Sequence, residues 1–190
     1  SEEPVARRTL LIDAGADHLG YASDVTRTYP GPDAPGVFVE ICRRLDGLQR
    51  DLVARVRPGA SFLDLHEAAH EGIATILSET GVVRTSPEIA VEQGLTDPFF
   101  PHGLGHHLGL QVHDVGGRQQ APKGGTLQPP ERYPFLRTTR TLATGHVVTV
   151  EPGIYFIPML LILSLLMMSR IAYPSIVWVF SRRWANFLYM

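Results

Sequence analysis

The sequence predicts an α+β domain in which an antiparallel sheet is covered by helices on one face. Three observations support this fold class. Residues 9–12 and 21–29 are rich in β-branched and aromatic side chains and flank a polar turn, which is typical of a β-hairpin. Two segments with helical periodicity follow the hairpin. Strand-like segments then return at residues 110–115, 147–150 and 154–157.

The first helical segment is defined by apolar side chains that recur every three or four residues. These side chains are Val37, Ile41, Leu45, Leu48, Leu52 and Val56. Pro58 and Gly59 follow immediately, and both residue types end helices. The spacing therefore predicts one amphipathic helix from residue 37 to residue 56.

A second helix is predicted from its start signal and its stripe. Ser61 and Asp64 have the spacing of a capping box, and Gly81 stands where a glycine ends a helix. The apolar stripe between them consists of Phe62, Leu65, Ala69, Ile73 and Ile76. We expect this helix to pack on the sheet.

Composition excludes several classes of protein. The chain has 190 residues, 44% of them apolar, so it is long enough for a sizeable core and is not disordered. Seventeen basic and nineteen acidic residues give a net charge of −2 without a basic run, which argues against a nucleic-acid partner. Cys42 is the single cysteine, and the first ten residues lack an apolar signal-peptide stretch. These features predict a cytoplasmic protein.

The character of the sequence changes near residue 157. Every Asp and Glu lies at or before Glu151, whereas all four Met and both Trp lie after it. We therefore predict two regions, a catalytic-type domain at 1–157 and an atypical apolar tail at 158–190. The apolar runs of the tail are interrupted by Arg170 and Pro174 and are shorter than the ~20 residues of a membrane span, so a membrane anchor is not expected. Because no Met precedes the tail, we expect the chain to be a fragment.

Four of the eight histidines fall within twelve residues. They are His102, His106, His107 and His113. Glycines are interspersed among them, and we expect these glycines to let the backbone bend so that the imidazoles converge. Clustered imidazoles of this kind favour a metal site or an acid–base site over a solvated loop.

Three carboxylates are candidates for the same site. Asp13 and Asp24 are on opposite arms of the predicted hairpin, which can bring two carboxylates face to face. Glu151 closes the apolar strand-like segment 147–150. Neighbouring or buried carboxylates are unfavourable without a cation or a shared proton, so we expect these groups to have a metal or another cation as a partner.

Five separate blocks resemble the catalytic domain of bacterial Xaa-Pro dipeptidases, or prolidases, which are pita-bread metallopeptidases. The blocks are L-L-I-D-A-G-A at 10–16, G-Y-A-S-D-V-T-R-T at 20–28, P-H-G-L-G-H-H-L-G-L-Q-V-H-D-V at 101–115, L-R-T-T-R at 136–140 and V-T-V-E-P-G-I-Y-F-I at 148–157. The resemblance implies an incomplete pita-bread domain with two divalent ions, commonly manganese. It also implies hydrolysis of a dipeptide that ends in proline. Aminopeptidase P is a related alternative, and a homodimer is left open.

The resemblance also implies residue roles. Asp13 would hold one metal ion, Asp24 would bridge the two ions, and His106 with Glu151 would hold the other. Outside the metal ligands, His113 would bind or protonate the substrate at the scissile carbonyl. Arg137 would bind the carboxylate of the substrate proline. His102 would support the site.

One expected ligand is missing from the chain. The family has a bridging Glu in a block resembling R-I-E-D-N after the position of Glu151, but no acidic residue follows Glu151 here. The second metal site is therefore in question. A catalytically inactive remnant with weak metal binding is the alternative to an active dipeptidase.

A second motif offers a different metal site. His66, Glu67 and His70 match H-E-x-x-H on the second predicted helix, the zincin pattern in which the two histidines bind zinc. The same helix has its own apolar stripe, which the histidines can border. We therefore expect this helix to have a packing role, with a zinc site as the alternative.

Overall fold

The computed structural model describes residues 9–121 and 123–156, which apart from Phe156 lie in the compact unit Ser1–Tyr155. The predicted tail at 158–190 lies outside the described residues. The elements are β1 Thr9–Ala14, β2 Asp17–His18, β3 Tyr21–Ala22, β4 Val25–Pro30, α1 Gly36–Arg55, α2 Phe62–Glu79, α3 Pro87–Glu92, a 3-10 helix Val115–Arg118, β5 Gln119–Ala121 and β6 Gly124–Thr126. Helices together with small antiparallel sheets confirm the α+β class of the prediction.

The predicted hairpin is present. β1 pairs with β4 in antiparallel register, and Asp13 stands opposite Thr26. A short β2–β3 pair connects them, and its turn uses the left-handed backbone of Leu19 and Gly20, with φ of 53° and 83°. All six residues of β1 are exposed, so this hairpin contributes no buried side chain from its first strand.

Both predicted helices form close to their expected limits. α1 ends at Arg55, just before the predicted Pro-Gly stop, and Ser61 caps α2 by accepting a hydrogen bond from the Asp64 backbone N–H at 3.2 Å. α1 and α2 pack together, and the core at their contact contains Leu52, Phe62, Leu65, Ala69, Ile73 and Leu77. No helix in the described part of the chain has the length and apolarity needed to cross a membrane.

The strand-like segment at 147–150 forms only one isolated bridge, between His107 and Val148. Residues 147–151 nevertheless run antiparallel to residues 104–108. Three backbone hydrogen bonds of 2.7–3.0 Å hold this pair, from Leu108 to Val147, from Thr149 to His106 and from Glu151 to Leu104. The segment thus has the predicted extended pairing without becoming a regular strand, and it brings Glu151 alongside the histidine segment.

The prediction of a strand at 110–115 is wrong. These residues form a tight local loop, in which the Asp114 N–H donates to the His107 carbonyl at 3.0 Å and the Gly109 N–H donates to the Gln111 carbonyl at 3.2 Å. Their backbone groups are therefore used within the loop. The apolar side chains that suggested a strand are exposed, Leu110 by 72% and Val115 by 83%. The described residues of 154–157 are not in a strand either.

Candidate metal centre

His106 is the centre of the candidate site. Its backbone N–H donates to Thr149 Oγ1 at 2.9 Å, and its side chain is buried. The ring Nδ1 lies 3.1 Å from the His107 carbonyl, which can only accept, so Nδ1 carries the proton. In the neutral ring, Nε2 then presents its lone pair to the other side. This is the tautomer that a metal-ligating histidine adopts.

Two carboxylates face that lone pair. Asp24 Oδ2 and Glu151 Oε1 each lie 3.2 Å from His106 Nε2. Glu151 Oε1 is buried, and the His106 ring is the polar group that faces it. Three electron-rich atoms in contact repel one another unless a cation or a proton lies between them. The residues present therefore fit a divalent ion.

The electrostatics agree with this description. Burial lowers the pKa of His106, but Glu151, the His107 carbonyl and Asp24 together outweigh burial, and the pKa is raised overall. Burial raises the pKa of the Glu151 carboxyl, and the His106 imidazole together with Thr149 outweighs it, so that this pKa is lowered. Both shifts show that the site favours one positive charge beside these carboxylates.

His113 lies beside the same group. Ligand atoms of Asp24, His106 and His113 all lie within 4.8 Å of one another, and the two imidazole rings meet edge to face with centroids 4.4 Å apart. Oxygen and imidazole ligands together suit manganese or zinc. His113 was predicted on the substrate side, and its position allows contact with a metal as well as with a substrate.

Asp13 is placed differently from Asp24. In β1, Asp13 is paired with Thr26. Asp24 precedes β4 and is two residues before Thr26 in the chain. The two carboxylates are thus diagonal neighbours and not direct cross-strand partners. Asp13 does not belong to the group of described ligands that converge, although its charge contributes to a raised pKa at Tyr155. Its ligand role stays a prediction.

His102 is held by hydrogen bonds at both ring nitrogens. Nδ1 donates to the Gly103 carbonyl at 2.8 Å, so Nε2 accepts from the Tyr155 hydroxyl at 3.0 Å. Burial first, and then the charges of Glu151 and Asp13, raise the pKa of Tyr155, which keeps this hydroxyl protonated. These two bonds fix the orientation of the His102 ring, and its supporting role stays a prediction. The sequence did not single out Tyr155, although it is in the quoted 148–157 block.

A cavity of about 650 Å³ adjoins the histidine loop. Its lining includes His113, Arg118 and Arg137. The Arg118 guanidinium donates through Nε and Nη2 to the Leu136 carbonyl, at 3.3 Å and 2.9 Å, and so supports the backbone just before Arg137. Burial and then the charge of Arg137 lower the pKa of His113. The cavity therefore combines an uncharged imidazole with a guanidinium at neutral pH.

The glycines of the histidine segment act through close approach and not through unusual backbone angles. A Cβ on Gly105 would lie 2.2 Å from the Thr149 carbonyl oxygen, and one on Gly103 would lie 2.9 Å from Leu136 Cα. Neither glycine has a positive φ. We expected these glycines to bend the chain, and the structure shows instead that they let neighbouring backbones touch.

The histidines of the H-E-x-x-H motif are buried in the core. His66 and His70 are 2% and 1% exposed and pack against Phe100 and Tyr133, whereas Glu67 is exposed. Burial lowers the pKa of His66 to about 3 and that of His70 to about 4. A zincin needs its glutamate beside the metal, so this geometry supports the packing role.

Comparison with known proteins agrees with the site geometry. The sequence model of metallopeptidase family M24 matches residues 3–179. The chain belongs to this family. It is 52% identical over 158 residues to a Xaa-Pro dipeptidase of Shewanella amazonensis, and 49% identical over 163 residues to one of Xanthomonas oryzae. These alignments cover 83% and 84% of the chain but only 36% of each relative. The chain thus spans about a third of the length of these dipeptidases.

Solved structures place the M24 chain in the same fold family. It is similar to Escherichia coli aminopeptidase P in complex with the inhibitor Pro-Leu, with a TM-score of 0.64 and 32% identity over 79% of this chain and 31% of that one. The zinc-substituted aminopeptidase P in complex with product gives the same values. The expected partial pita-bread domain is therefore confirmed.

Proposed function

We propose that the chain carries part of the active site of a Xaa-Pro dipeptidase, which hydrolyses dipeptides that end in proline. The observation that carries this proposal is the meeting of Asp24, His106 and Glu151 beside a cavity lined by His113 and Arg137. About 50% identity to proteins named Xaa-Pro dipeptidase, against 32% to aminopeptidase P, favours the dipeptidase over the aminopeptidase.

Two divalent ions, with manganese as the first candidate, would be held by Asp13, Asp24, His106 and Glu151. Carboxylate oxygens suit manganese, and metal ions in such a site supply an acidified water as the nucleophile. Glu151 Oε1 and His106 Nε2 are the atoms that would bind such an ion. A bound ion would give the buried Glu151 Oε1 a partner and would accept the lone pair of His106 Nε2. Titration calorimetry with Mn²⁺ tests this part of the proposal.

Substrate recognition follows from the chemistry of proline. A peptide bond to proline has no N–H, so an enzyme can recognise this end only through the ring and the terminal carboxylate. The exposed guanidinium of Arg137 offers two parallel donors to a carboxylate. His113, whose lowered pKa keeps it neutral at pH 7, can donate a hydrogen bond to the scissile carbonyl.

A specific observation favours a second candidate, the inactive remnant. No acidic residue follows Glu151, so the chain has no carboxylate for the expected bridging Glu. With three carboxylates facing two dications, the second ion loses the ligand that would also fix the metal spacing. Because the predicted tail at 158–190 is apolar and the bridging Glu is missing from these 190 residues, we expect the chain as given to be poorly soluble and to have little or no dipeptidase activity.

One set of assays separates these candidates. The purified chain is titrated with Mn²⁺ and then assayed with an Ala-Pro dipeptide and a matched tripeptide that has proline in second position. Two tight sites with dipeptide cleavage would refute the inactive remnant, and one weak site without cleavage would support it. Cleavage of the tripeptide alone would instead identify an aminopeptidase.

A further inference from the structure

His107 is a buried histidine to which the proposed reaction gives no role. It follows the metal-site residue His106 and is 6% exposed. Its Nδ1 lies 3.3 Å from Thr138 Oγ1, and its Nε2 lies 3.2 Å from His146 Nδ1. Its carbonyl oxygen accepts hydrogen bonds from His106 Nδ1 and from the Asp114 N–H. All polar groups of this side chain are thus engaged inside the protein.

The hydrogen bonds determine which nitrogen of His107 carries the proton. His146 Nδ1 accepts the Ala143 N–H at 3.2 Å, so it carries no proton, and its single lone pair is shared with His107 Nε2. His107 Nε2 must therefore donate, and in a neutral imidazole Nδ1 is then an acceptor. The Thr138 hydroxyl in turn donates to Nδ1.

Thr138 connects this ring to the candidate carboxylate-binding residue. Thr138 is 0% exposed and follows Arg137 directly. A Cβ on Gly117 would lie 2.6 Å from the Arg137 carbonyl oxygen and 3.3 Å from His107 Nδ1, so three chain segments meet at this point. The Thr139 N–H donates to the Gly117 carbonyl at 3.0 Å. We call this meeting point of His107, Gly117 and Thr138 the junction.

We propose that His107 is a positioning residue that links the two halves of the candidate active site. Its carbonyl fixes the ring of His106 on the metal side, and its imidazole fixes the backbone of Arg137 through Thr138. The inference rests on the proposed function for the role of Arg137, but the proton on Nε2 and the junction follow from the hydrogen bonds.

Variants of His107 and Thr138 test the link through the imidazole and separate it from the contact with His146. His107→Asn keeps an acceptor near the position of Nδ1, whereas His107→Gln keeps a donor near the position of Nε2. We expect His107→Gln and Thr138→Val each to weaken binding of an Ala-Pro dipeptide to the Mn²⁺-treated chain about tenfold, with no further loss in the double variant. His107→Asn is expected to bind the dipeptide as the wild type does. Thr80→Val is the matched control, since its hydroxyl bonds only within the end of α2.

Two readouts do not need substrate binding. Imidazole nitrogen NMR is expected to show the proton of His107 on Nε2. Amide hydrogen exchange at Thr139 is expected to be at least about tenfold faster in Thr138→Val, because the junction loosens. A proton on Nδ1, or exchange at Thr139 that is the same in Thr138→Val and Thr80→Val, overturns the inference.

The two proposals fail in different ways. If the wild-type chain binds no dipeptide, the dipeptidase proposal fails in favour of the inactive remnant, and the role of His107 at the junction is decided by the site of its proton and the exchange rate at Thr139. If the wild type binds dipeptide and Thr138→Val binds it equally well, the proposed function stands and the positioning role is refuted.

Discussion

Replacing Gly105 by Ala tests whether close backbone contact builds the candidate metal centre. The new Cβ would lie 2.2 Å from the Thr149 carbonyl oxygen, where ordinary contacts begin at 3.4 Å. The paired segments 104–108 and 147–151 must therefore separate by about 1 Å. Overpacking of this kind costs about 1–3 kcal/mol, and losing the bond from the His106 N–H to Thr149 Oγ1 adds about 1 kcal/mol.

We expect Gly105→Ala to lower the free energy of unfolding by about 2–4 kcal/mol, measured by urea denaturation. Because His106 and Glu151 are on the two separated segments, Mn²⁺ affinity should fall about 10–100-fold in calorimetry. Gly47→Ala is the control, since a Cβ there meets no atom within 4 Å and alanine favours helix α1 by about 0.5–1 kcal/mol. Unchanged stability and Mn²⁺ affinity in Gly105→Ala would refute the reasoning.

Three further predictions concern pH, capping and substrate. His66 is neutral in the fold, with its pKa lowered by burial to about 3, so its contribution to stability is complete above pH 6.5 and is lost as the pH falls towards 3. We expect a loss of about 3 kcal/mol by pH 4 in acid titration followed by circular dichroism, and a flatter profile in His66→Leu. Ser61→Ala should cost about 1 kcal/mol in thermal unfolding, because it removes the cap on the Asp64 N–H; an unchanged melting temperature would contradict this. Arg137→Ala should weaken dipeptide binding without changing Mn²⁺ affinity, and equal losses in both would count against its assignment.

The helices could be predicted because their signals are local. The apolar stripe of α1 and the Ser61 cap of α2 are contained in the segments themselves, and both helices form where expected. The segment 110–115 could not be predicted in the same way. Its residues have strand propensity but form a local turn. In this turn Gly109 is so close to Asp114 that a Cβ added to Gly109 would lie 2.4 Å from the Asp114 carboxylate. The turn depends on contacts of residues 111 and 114 with His107 and Gly109, which precede the segment, and not on the strand propensity of the segment itself.

The candidate site was partly accessible from the sequence. Residue type and spacing singled out His106, Asp24 and Glu151, which the structure brings together. Tyr155 and Thr138 were not identified, because their hydroxyls act through contacts with residues 53 and 31 positions away. A phenol or a buried threonine has no pattern in the sequence that distinguishes such a role from packing.

Because β1 is exposed on both faces, little core packing holds its hairpin to the rest of the chain, and a bound ion would contribute to that attachment. Asp24 and His106 are separated by 82 positions, so an ion bound to both would join the hairpin to the histidine loop as a reversible crosslink. An ion that binds the folded site and not the unfolded chain stabilises the fold by its binding free energy, about 2.7 kcal/mol at 100 times its dissociation constant. Chelators would then release the hairpin before the α1–α2 core unfolds. Metal occupancy would thereby decide whether the chain unfolds as one cooperative unit or as two.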